Sequence, residues 1–237
     1  MDGHYENLEG KERVIKVHEF FSSIYDKYDL VNKIITFGLD GYWRGKAIER
    51  IPIKNIDILD VGTGTGDMIK RVLNKNITGN VIGVDLTLEM LRLGKYKLNN
   101  NKNITLINAN AFYLPFKNER FDVVMAAYTI RNISPIKDVL IEINRVLKRG
   151  GVFILLEIGV PQNEILRKLF LMYIFNIVPW IGNVITGNGK AYEYLPSSVV
   201  KFPLPTAMIR LFNESSFKKV DFISFTLGTS VMYIAYK

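Results

Sequence analysis

The 237-residue sequence contains no cysteine and only two histidines, and these absences remove several kinds of site at once. Without cysteine there are no disulfides, no thiolate metal ligands and no cysteine nucleophile, which fits a cytoplasmic protein. His4 and His18 both lie near the N-terminus and the carboxylates are scattered, so we expect no metal site. The sequence also has no nucleophile elbow of the kind that hydrolases use.

Long linkers, internal repeats and an apolar leader are also missing, so we expect one domain and no signal peptide. We predict a helical cap over residues 1–50 and an α/β body over 51–237, with a helical substrate insertion at about 160–200. The net charge of +8 could attract nucleic acid, anionic lipid or phosphorylated ligands. No run exceeds two basic residues, which favours dispersed lysines that solvate helices, and we do not expect nucleic-acid binding.

Seven short β-rich runs alternate with helical stretches, which favours an α/β fold with a mostly parallel sheet covered on both faces. The last two runs are joined only by residues 227–229, which permits an antiparallel hairpin but no parallel crossover. A Rossmann-like seven-stranded sheet with this hairpin is the class I methyltransferase arrangement, whereas a dinucleotide-binding dehydrogenase lacks the hairpin. The predicted strands are 56–61, 80–85, 104–108, 121–125, 152–157, 220–226 and 230–236; helices are predicted at 67–74 and 135–148, and a turn at Gly150-Gly151.

Glycines at 62, 64 and 66 follow the first predicted strand and precede a helix. Gly62, Gly64 and Gly66 let the backbone turn tightly and approach a ligand, while the helix start offers free N–H groups. Asp85 ends the next strand, where its carboxylate can accept hydrogen bonds from ribose hydroxyls. The pattern predicts a nucleoside-bearing cofactor, either NAD or S-adenosylmethionine.

Three details favour S-adenosylmethionine. The loop reads G-x-G-x-G, with Asp67 where a dinucleotide fingerprint needs its third glycine. Asp67 would repel a pyrophosphate, whereas S-adenosylmethionine brings a sulfonium and an ammonium group. Asn110-Ala111 follows the third strand, where an amide can bond the adenine edge. An NAD site and a plain strand–helix turn without a ligand are the alternatives.

A series of further motifs extends from about Phe20 to the C-terminus. They are Tyr28-Asp29-Leu30-Val31-Asn32 with Thr36-Phe37-Gly38 and Trp43; Asn110-Ala111 with Leu114-Pro115-Phe116; Ile130-Arg131-Asn132; Arg145-Val146-Leu147-Lys148 with Gly150-Gly151 and Glu157; Pro179 with Ile181-Gly182; and Tyr192-Glu193-Tyr194-Leu195. In this order the motifs resemble the ubiquinone/menaquinone biosynthesis C-methyltransferase family. The sequence departs from that pattern at Val31, Asp40, Ala127, Arg149 and Gly159, where the family usually has methionine, histidine, serine, proline and serine.

The resemblance implies methyl transfer from S-adenosylmethionine to a ring carbon of a reduced prenylated quinol, like a demethylmenaquinol or a ubiquinol precursor. It implies cofactor contacts at Thr65, Asp85 and Asn110-Ala111, and leaves only a backbone contact at Ala127. The departures at Asp40 and Ala127 keep another small-molecule or lipid acceptor open. The full predicted cofactor set is Gly62, Gly64, Thr65, Gly66, Asp85, Leu86, Asn110, Ala111 and Ala127.

Methylation of a ring carbon requires an electron-rich ring aligned with the sulfonium methyl group, with water excluded. Tyr28, Arg131 and Asn132 are the predicted catalytic residues. Arg131-Asn132 follows the fourth strand, at the edge of the sheet where ligands bind. Because arginine is too basic to accept a proton, we predict that Arg131 stabilises a phenolate or positions a water, with Tyr28 as its partner. A structural ion pair for Arg131 and core packing for Tyr28 are the alternatives.

Residues 165–185 are the most apolar stretch of the chain, but their uncharged run is short for a bilayer crossing. We therefore do not expect a transmembrane helix. The stretch is suited to cover the active site, to line a tunnel for a prenyl tail, or to lie on a membrane surface as a peripheral contact. A core helix or a homodimer contact is the alternative.

Overall fold

The computed structural model describes residues 19, 22–52, 55–75, 79–99, 101–187 and 189–237. Both histidines and most of the first 21 residues of the predicted N-terminal cap lie outside the described residues. Two helices of that cap are described: α1 spans Tyr28–Ile35 and α2 spans Leu39–Ile48. Both helices lie within residues 1–50, the range of the predicted helical cap.

The centre of the molecule is a seven-stranded sheet in the order β3-β2-β1-β4-β5-β7-β6. The first five strands run parallel, and β7 pairs antiparallel with both β5 and β6. This confirms the predicted α/β class and its C-terminal hairpin. The strands are β1 Ile58–Val61, β2 Val81–Asp85, β3 Ile104–Asn108, β4 Phe121–Ala127, β5 Leu147–Ile158, β6 Lys219–Phe225 and β7 Ser230–Tyr236.

Within the described ranges seven more α-helices follow, and three of them form the segment between β5 and α9. They are α3 Asp67–Asn74, α4 Leu88–Lys97, α5 Ile136–Val146, α6 Glu164–Met172, α7 Val178–Thr186, α8 Gly189–Lys201 and α9 Pro205–Glu214. A π-helical turn, Tyr173–Ile177, joins α6 to α7, and a 3₁₀ turn, Ile130–Asn132, follows β4.

Strand β4 shows why this sheet has a core on both faces. Val124 and Ala126 pack into the cluster on one face, while Val123 and Met125 pack into the cluster on the other. A strand buried on both sides must be apolar at consecutive positions, as the sequence of β4 is.

The prediction of a turn at Gly150-Gly151 was wrong, because β5 begins earlier, at Leu147. Gly150 lies inside the strand at φ +74°, and the pairing with β4 changes register between Phe121 and Val123. Glycine tolerates this left-handed conformation, so the strand kinks and continues instead of ending.

A third, smaller core joins the N-terminal helices to the segment that follows β5. Val31 and Ile35 of α1 pack with Val178 of α7 and Tyr192 of α8. The hydroxyl of Tyr173 also donates a 2.8 Å hydrogen bond to the carbonyl oxygen of Ile35. The helix α1 therefore packs directly on the inserted helices.

Candidate functional site

A cleft of about 1060 Å³, open to solvent on one side, lies at the carboxyl ends of β1, β2 and β4. Most of the predicted cofactor residues line it, together with Tyr28 and Asn132 of the predicted catalytic set. Gly66 and Arg131 do not line this cleft. The predicted cofactor residues that do are Gly62, Gly64, Thr65, Asp85, Leu86, Asn110, Ala111 and Ala127.

The glycine loop brings backbone close to the cleft in left-handed conformations. A Cβ atom on Gly62 would lie 2.2 Å from the Cγ2 atom of Thr129, so only glycine fits against the turn after β4. A Cβ atom on Gly66 would meet Leu98 at 2.8 Å, which places Gly66 against α4 and behind the loop. Gly64 has φ +53° and no atom within 4 Å of a Cβ position, so open space lies in front of it. The loop is thus shaped for a ligand at Gly64.

Asp85 is held firmly at the edge of the cleft. Its Oδ2 atom accepts a 2.8 Å hydrogen bond from the backbone N–H of Gly64, and its Oδ1 atom accepts one of 2.8 Å from that of Thr87. Burial raises the pKa of Asp85, although these hydrogen bonds oppose the rise. A carboxylate at this edge of the sheet suits a ribose diol.

Asp60 is a buried acidic residue at the start of the glycine loop that is not in the predicted cofactor set. It is 1 % exposed and lines the cleft, and its Oδ2 atom accepts a 2.6 Å hydrogen bond from Thr63. Its Oδ1 atom has no hydrogen-bond partner in the described part of the chain, and burial raises the pKa of Asp60 to about 7. A buried carboxylate oxygen without a donor fits a cationic ligand group, such as an ammonium. The signal in the sequence was its position two residues before Gly62.

A network of charges joins the glycine loop to α1. Lys97 donates hydrogen bonds to Asp29, to Asp67 at 2.8 Å and to the hydroxyl of Thr65 at 2.9 Å. Thr65 in turn donates to Asp29 at 2.8 Å. Burial tends to raise the pKa of Asp67, but Arg44 and Lys97 outweigh it and lower the pKa. We call this network of Asp29, Thr65, Asp67 and Lys97 the brace. Within it, the ammonium of Lys97 compensates the negative charge of Asp67 at the start of α3.

A second cavity of about 370 Å³ adjoins the cleft, because Tyr28, Arg44 and Tyr128 line both. Its walls combine aromatic and aliphatic side chains with a few polar groups. Its other lining residues are Asn32, Ile35, Thr36, Asp40, Trp43, Arg131, Ile158 and Leu195.

Arg131 lies in the wall of this second cavity, in a buried ion pair. Its Nη1 atom donates a 2.9 Å hydrogen bond to Glu157 and a second hydrogen bond to the carbonyl oxygen of Tyr128. The backbone N–H of Arg131 donates to the other oxygen of Glu157 at 3.1 Å. Glu157 is fully buried. The structural ion pair considered from the sequence is therefore present, and it fixes the guanidinium beside the cavity.

Tyr28 lies where the second cavity meets the cleft, and Asn132 lines the cleft alone. Burial raises the pKa of Tyr28 although Arg131 and Arg44 oppose the rise, so its hydroxyl stays protonated near neutral pH. Asn132 is 7 % exposed, its Nδ2 atom lies 3.4 Å from the carbonyl oxygen of Tyr128, and its Oδ1 atom has no partner in the described part of the chain. Both side chains line the cleft and can form hydrogen bonds with a ligand there.

Known proteins resemble this chain in sequence and in structure. It matches the ubiE/COQ5 methyltransferase family over residues 8–237. It is 39 % identical over 228 residues to the ubiquinone/menaquinone biosynthesis C-methyltransferase UbiE of Rickettsia prowazekii, covering 93 % of this chain and 92 % of the relative. It is 35 % identical over 232 residues to the demethylmenaquinone methyltransferase of Staphylococcus saprophyticus, covering 97 % and 99 %. Among solved structures, the SAM-dependent methyltransferase of Thermotoga maritima has a TM-score of 0.64 at 17 % identity, covering 93 % of this chain and 99 % of that one, a likeness that shows the fold alone.

Proposed function

The chain belongs to the ubiE/COQ5 methyltransferase family, and from this premise we propose that it methylates a ring carbon of a reduced prenylated quinol in respiratory quinone biosynthesis. It is an S-adenosylmethionine-dependent methyltransferase, as its family is. The observation that supports the acceptor is the pair of adjoining cavities, one with carboxylates suited to a nucleoside and an ammonium, the other small and largely apolar.

The residues of the cleft fit this cofactor, which when bound supplies an electrophilic methyl group on sulfur. Asp85 would accept hydrogen bonds from the ribose hydroxyls, and Asp60 would accept one from the ammonium group through its unpartnered oxygen. The Oδ1 atom of Asn110 accepts a 3.0 Å hydrogen bond from the N–H of Phe112, which leaves the amide nitrogen to donate to the adenine edge. Gly64 allows close approach of the backbone.

The second cavity would hold the acceptor ring, and its residues would hold the ring in line with the cleft. Trp43 and Ile158 provide apolar walls that exclude water. Tyr28 would donate to a ring oxygen, since its raised pKa keeps the hydroxyl protonated. Arg131 would stabilise negative charge on that oxygen, while its bonds to Glu157 keep it from moving. The ring must be reduced, because its hydroxyls make the carbon nucleophilic.

The test is transfer of labelled methyl from S-adenosylmethionine to reduced prenylated naphthoquinones and benzoquinones, with total RNA as a competitor, followed by organic extraction. We expect label in the organic phase that requires reductant and is lost in Asp85→Ala. Asp221→Ala removes a carboxylate on the outer strand β6 and should retain full activity. Label released from the aqueous phase by ribonuclease would contradict the proposed acceptor.

A second candidate is another small-molecule or lipid acceptor in the same cavity. Asp40 favours it, because this departure from the family pattern lies in the lining of the second cavity. Cofactor-dependent activity on a lipid extract, with none on any quinol, would establish this reading and refute the first.

We also propose that the helices between β5 and α9 cover the acceptor site and contact the membrane surface from the cytoplasmic side. By length and composition, Glu164–Thr186 is the one helix in the described part of the chain that could cross a membrane, and only a small part of it is buried. Its inner side packs on α1 through Val178 and Ile181. Its outer side exposes Ile165, Leu169, Met172, Phe175, Trp180 and Val184.

A helix that is apolar on both sides needs a second apolar environment. Because one side is fixed to the protein core, lying in the lipid interface satisfies the other side better than crossing the bilayer does. A prenylated substrate resides in the same lipid phase. Arg167 and Lys168 on α6 would contribute attraction to anionic headgroups.

Flotation with anionic phosphatidylglycerol-containing vesicles tests this surface. Wild type should float with vesicles, whereas the triple variant Leu169→Ser, Phe175→Ser, Trp180→Ser should remain at the bottom while binding S-adenosylhomocysteine normally. Concentration-dependent dimerisation without vesicle binding, abolished by the same substitutions, would show that a second copy of the chain covers this surface instead.

A further inference from the structure

Arg44 is a buried cation that the proposed mechanism has not yet used. It lies on α2, is 7 % exposed and lines both cavities. Within the described residues its guanidinium donates no hydrogen bond, and its Nε atom is fully enclosed. The nearest acidic oxygen is Oδ2 of Asp40, 3.8 Å from Nε, and the ring of Tyr128 lies 4.9 Å from the guanidinium carbon.

This situation differs from that of the other buried arginine of the second cavity. Arg131 is bonded to Glu157 and to a carbonyl oxygen. Arg44 has five N–H donors, and its enclosed Nε–H lacks an acceptor, which is unfavourable for a charged group. The ring of Tyr128 offsets part of this penalty but accepts no strong hydrogen bond. An arginine in this position is therefore ready for an acceptor that a ligand supplies.

We propose that Arg44 binds an oxyanion of a ligand at the junction of the two cavities. Two oxyanions meet there in the proposed reaction: the carboxylate of the methionyl part of the cofactor, and the phenolate oxygen of the acceptor ring. The planar guanidinium fits either one with paired hydrogen bonds. Asp40 is a positioning residue, held by a 3.1 Å hydrogen bond from Thr36 one turn earlier on the chain. Only the phenolate source depends on the proposed function.

Charged and titratable groups surround Arg44 on every packed element. They are Asp40 on its own helix, Asp60 in β1, Asp67 at the start of α3, Tyr28 on α1 and Tyr128 after β4. Asp67 is engaged by Lys97 and Asp60 by Thr63, so neither is bonded to Arg44. The guanidinium therefore keeps its donors for an incoming oxyanion.

The first measurement compares binding of S-adenosylhomocysteine with binding of its decarboxylated analogue by calorimetry. In Arg44→Met, a carboxylate source predicts that S-adenosylhomocysteine binds about 30-fold more weakly, in the range for a lost charged hydrogen bond, while the analogue changes less than threefold. Arg44→Lys should recover part of the loss. Arg71→Met is the matched control, because Arg71 on α3 approaches Gly41 of α2 but lines neither cavity.

The second measurement uses a nitrophenol, whose phenolate absorbs visible light, as a probe of the acceptor cavity with S-adenosylhomocysteine bound. A phenolate source predicts that the bound probe ionises at lower pH in wild type than in solution, and that Arg44→Met raises its apparent pKa by at least one unit. If neither measurement changes in a folded Arg44→Met, or if both nucleosides weaken equally, the inference is wrong. If Arg44→Met does not fold, both measurements are made on Arg44→Lys, which keeps the charge but cannot form the paired hydrogen bonds of a guanidinium. In that variant we expect binding of the affected ligand to weaken about fivefold or more. Neither readout needs methyl transfer, so a protein that methylates no quinol would refute the proposed function separately.

Discussion

Replacing Asp60 by asparagine should make the protein more stable at alkaline pH while weakening its binding of the cofactor. The amide oxygen of asparagine can still accept the hydrogen bond from Thr63, so the main change is removal of a buried negative charge. Burial raises the pKa of Asp60 from 3.8 to about 7, and the folded protein thus retains a proton that the unfolded chain has released. The free energy of unfolding of wild type should therefore fall as pH rises from about 4 to 7, and level off above 7.

The size of this effect follows from the two pKa values. Each pH unit between them changes the free energy of unfolding by about 1.4 kcal/mol, so the full difference is about 4 kcal/mol. Between pH 5 and pH 8, wild type should lose about 2.5 kcal/mol relative to Asp60→Asn. Urea unfolding of both proteins at four pH values across this range measures the difference. Asp221→Asn, at a half-exposed position on β6, should run parallel to wild type.

Binding of S-adenosylhomocysteine should change in the opposite sense. An ammonium group favours the charged form of Asp60, so the affinity of wild type should rise with pH up to about 7 and then stay level. In Asp60→Asn the affinity should be independent of pH in this range and about 10- to 100-fold weaker at pH 8, as for loss of a charged hydrogen bond. Parallel stability curves for the two proteins, or equal affinities at pH 8, would refute the reasoning about Asp60.

Three further predictions concern the structure around the site. Gly62→Ala should lower the free energy of unfolding by more than about 2 kcal/mol because its Cβ atom would overlap a neighbouring side chain, whereas Gly64→Ala should lose only about 1–2 kcal/mol from its left-handed backbone; equal losses in urea unfolding would contradict the geometry. Glu157→Leu should lower the free energy of unfolding by about 3–5 kcal/mol by removing the carboxylate partner of the buried Arg131. The double variant with Arg131→Leu should recover most of this loss, and strictly additive losses would contradict the pairing. Lys97→Met should weaken S-adenosylhomocysteine binding and speed proteolysis near residue 29, and unchanged cleavage in limited proteolysis would show that the brace does not order α1.

The sheet was predictable because its signals are local. Apolar runs ending at glycine or polar residues marked each strand, and β3 and β7 match their predicted bounds. The hairpin followed from the three residues that join its strands. The kink at Gly150 was missed, because a glycine that lets a strand continue has the same sequence signature as one that ends it.

The candidate site was partly predictable for a related reason. Asp85 and Asn110 follow directly from the order of the strands, because the carboxyl ends of parallel strands lie at the same edge of the sheet. Arg44 could not be assigned, because it comes from a cap helix that reaches the site only through tertiary packing. Asp60 was visible in sequence, but its missing hydrogen-bond donor and its raised pKa exist only once the core closes around it.

The helix α1 carries two neighbouring side chains with different duties: Tyr28 lines both cavities, while Asp29 holds the brace to Thr65 and Lys97. A ligand in either cavity would stabilise the position of the same helix, so we expect each ligand to bind more tightly when the other is present. By thermodynamic linkage, the factor by which the first ligand raises the affinity for the second equals the factor by which the second raises the affinity for the first. S-adenosylhomocysteine would then dissociate more readily after the methylated product has left. The order of product release would thus depend on the contacts of one helix.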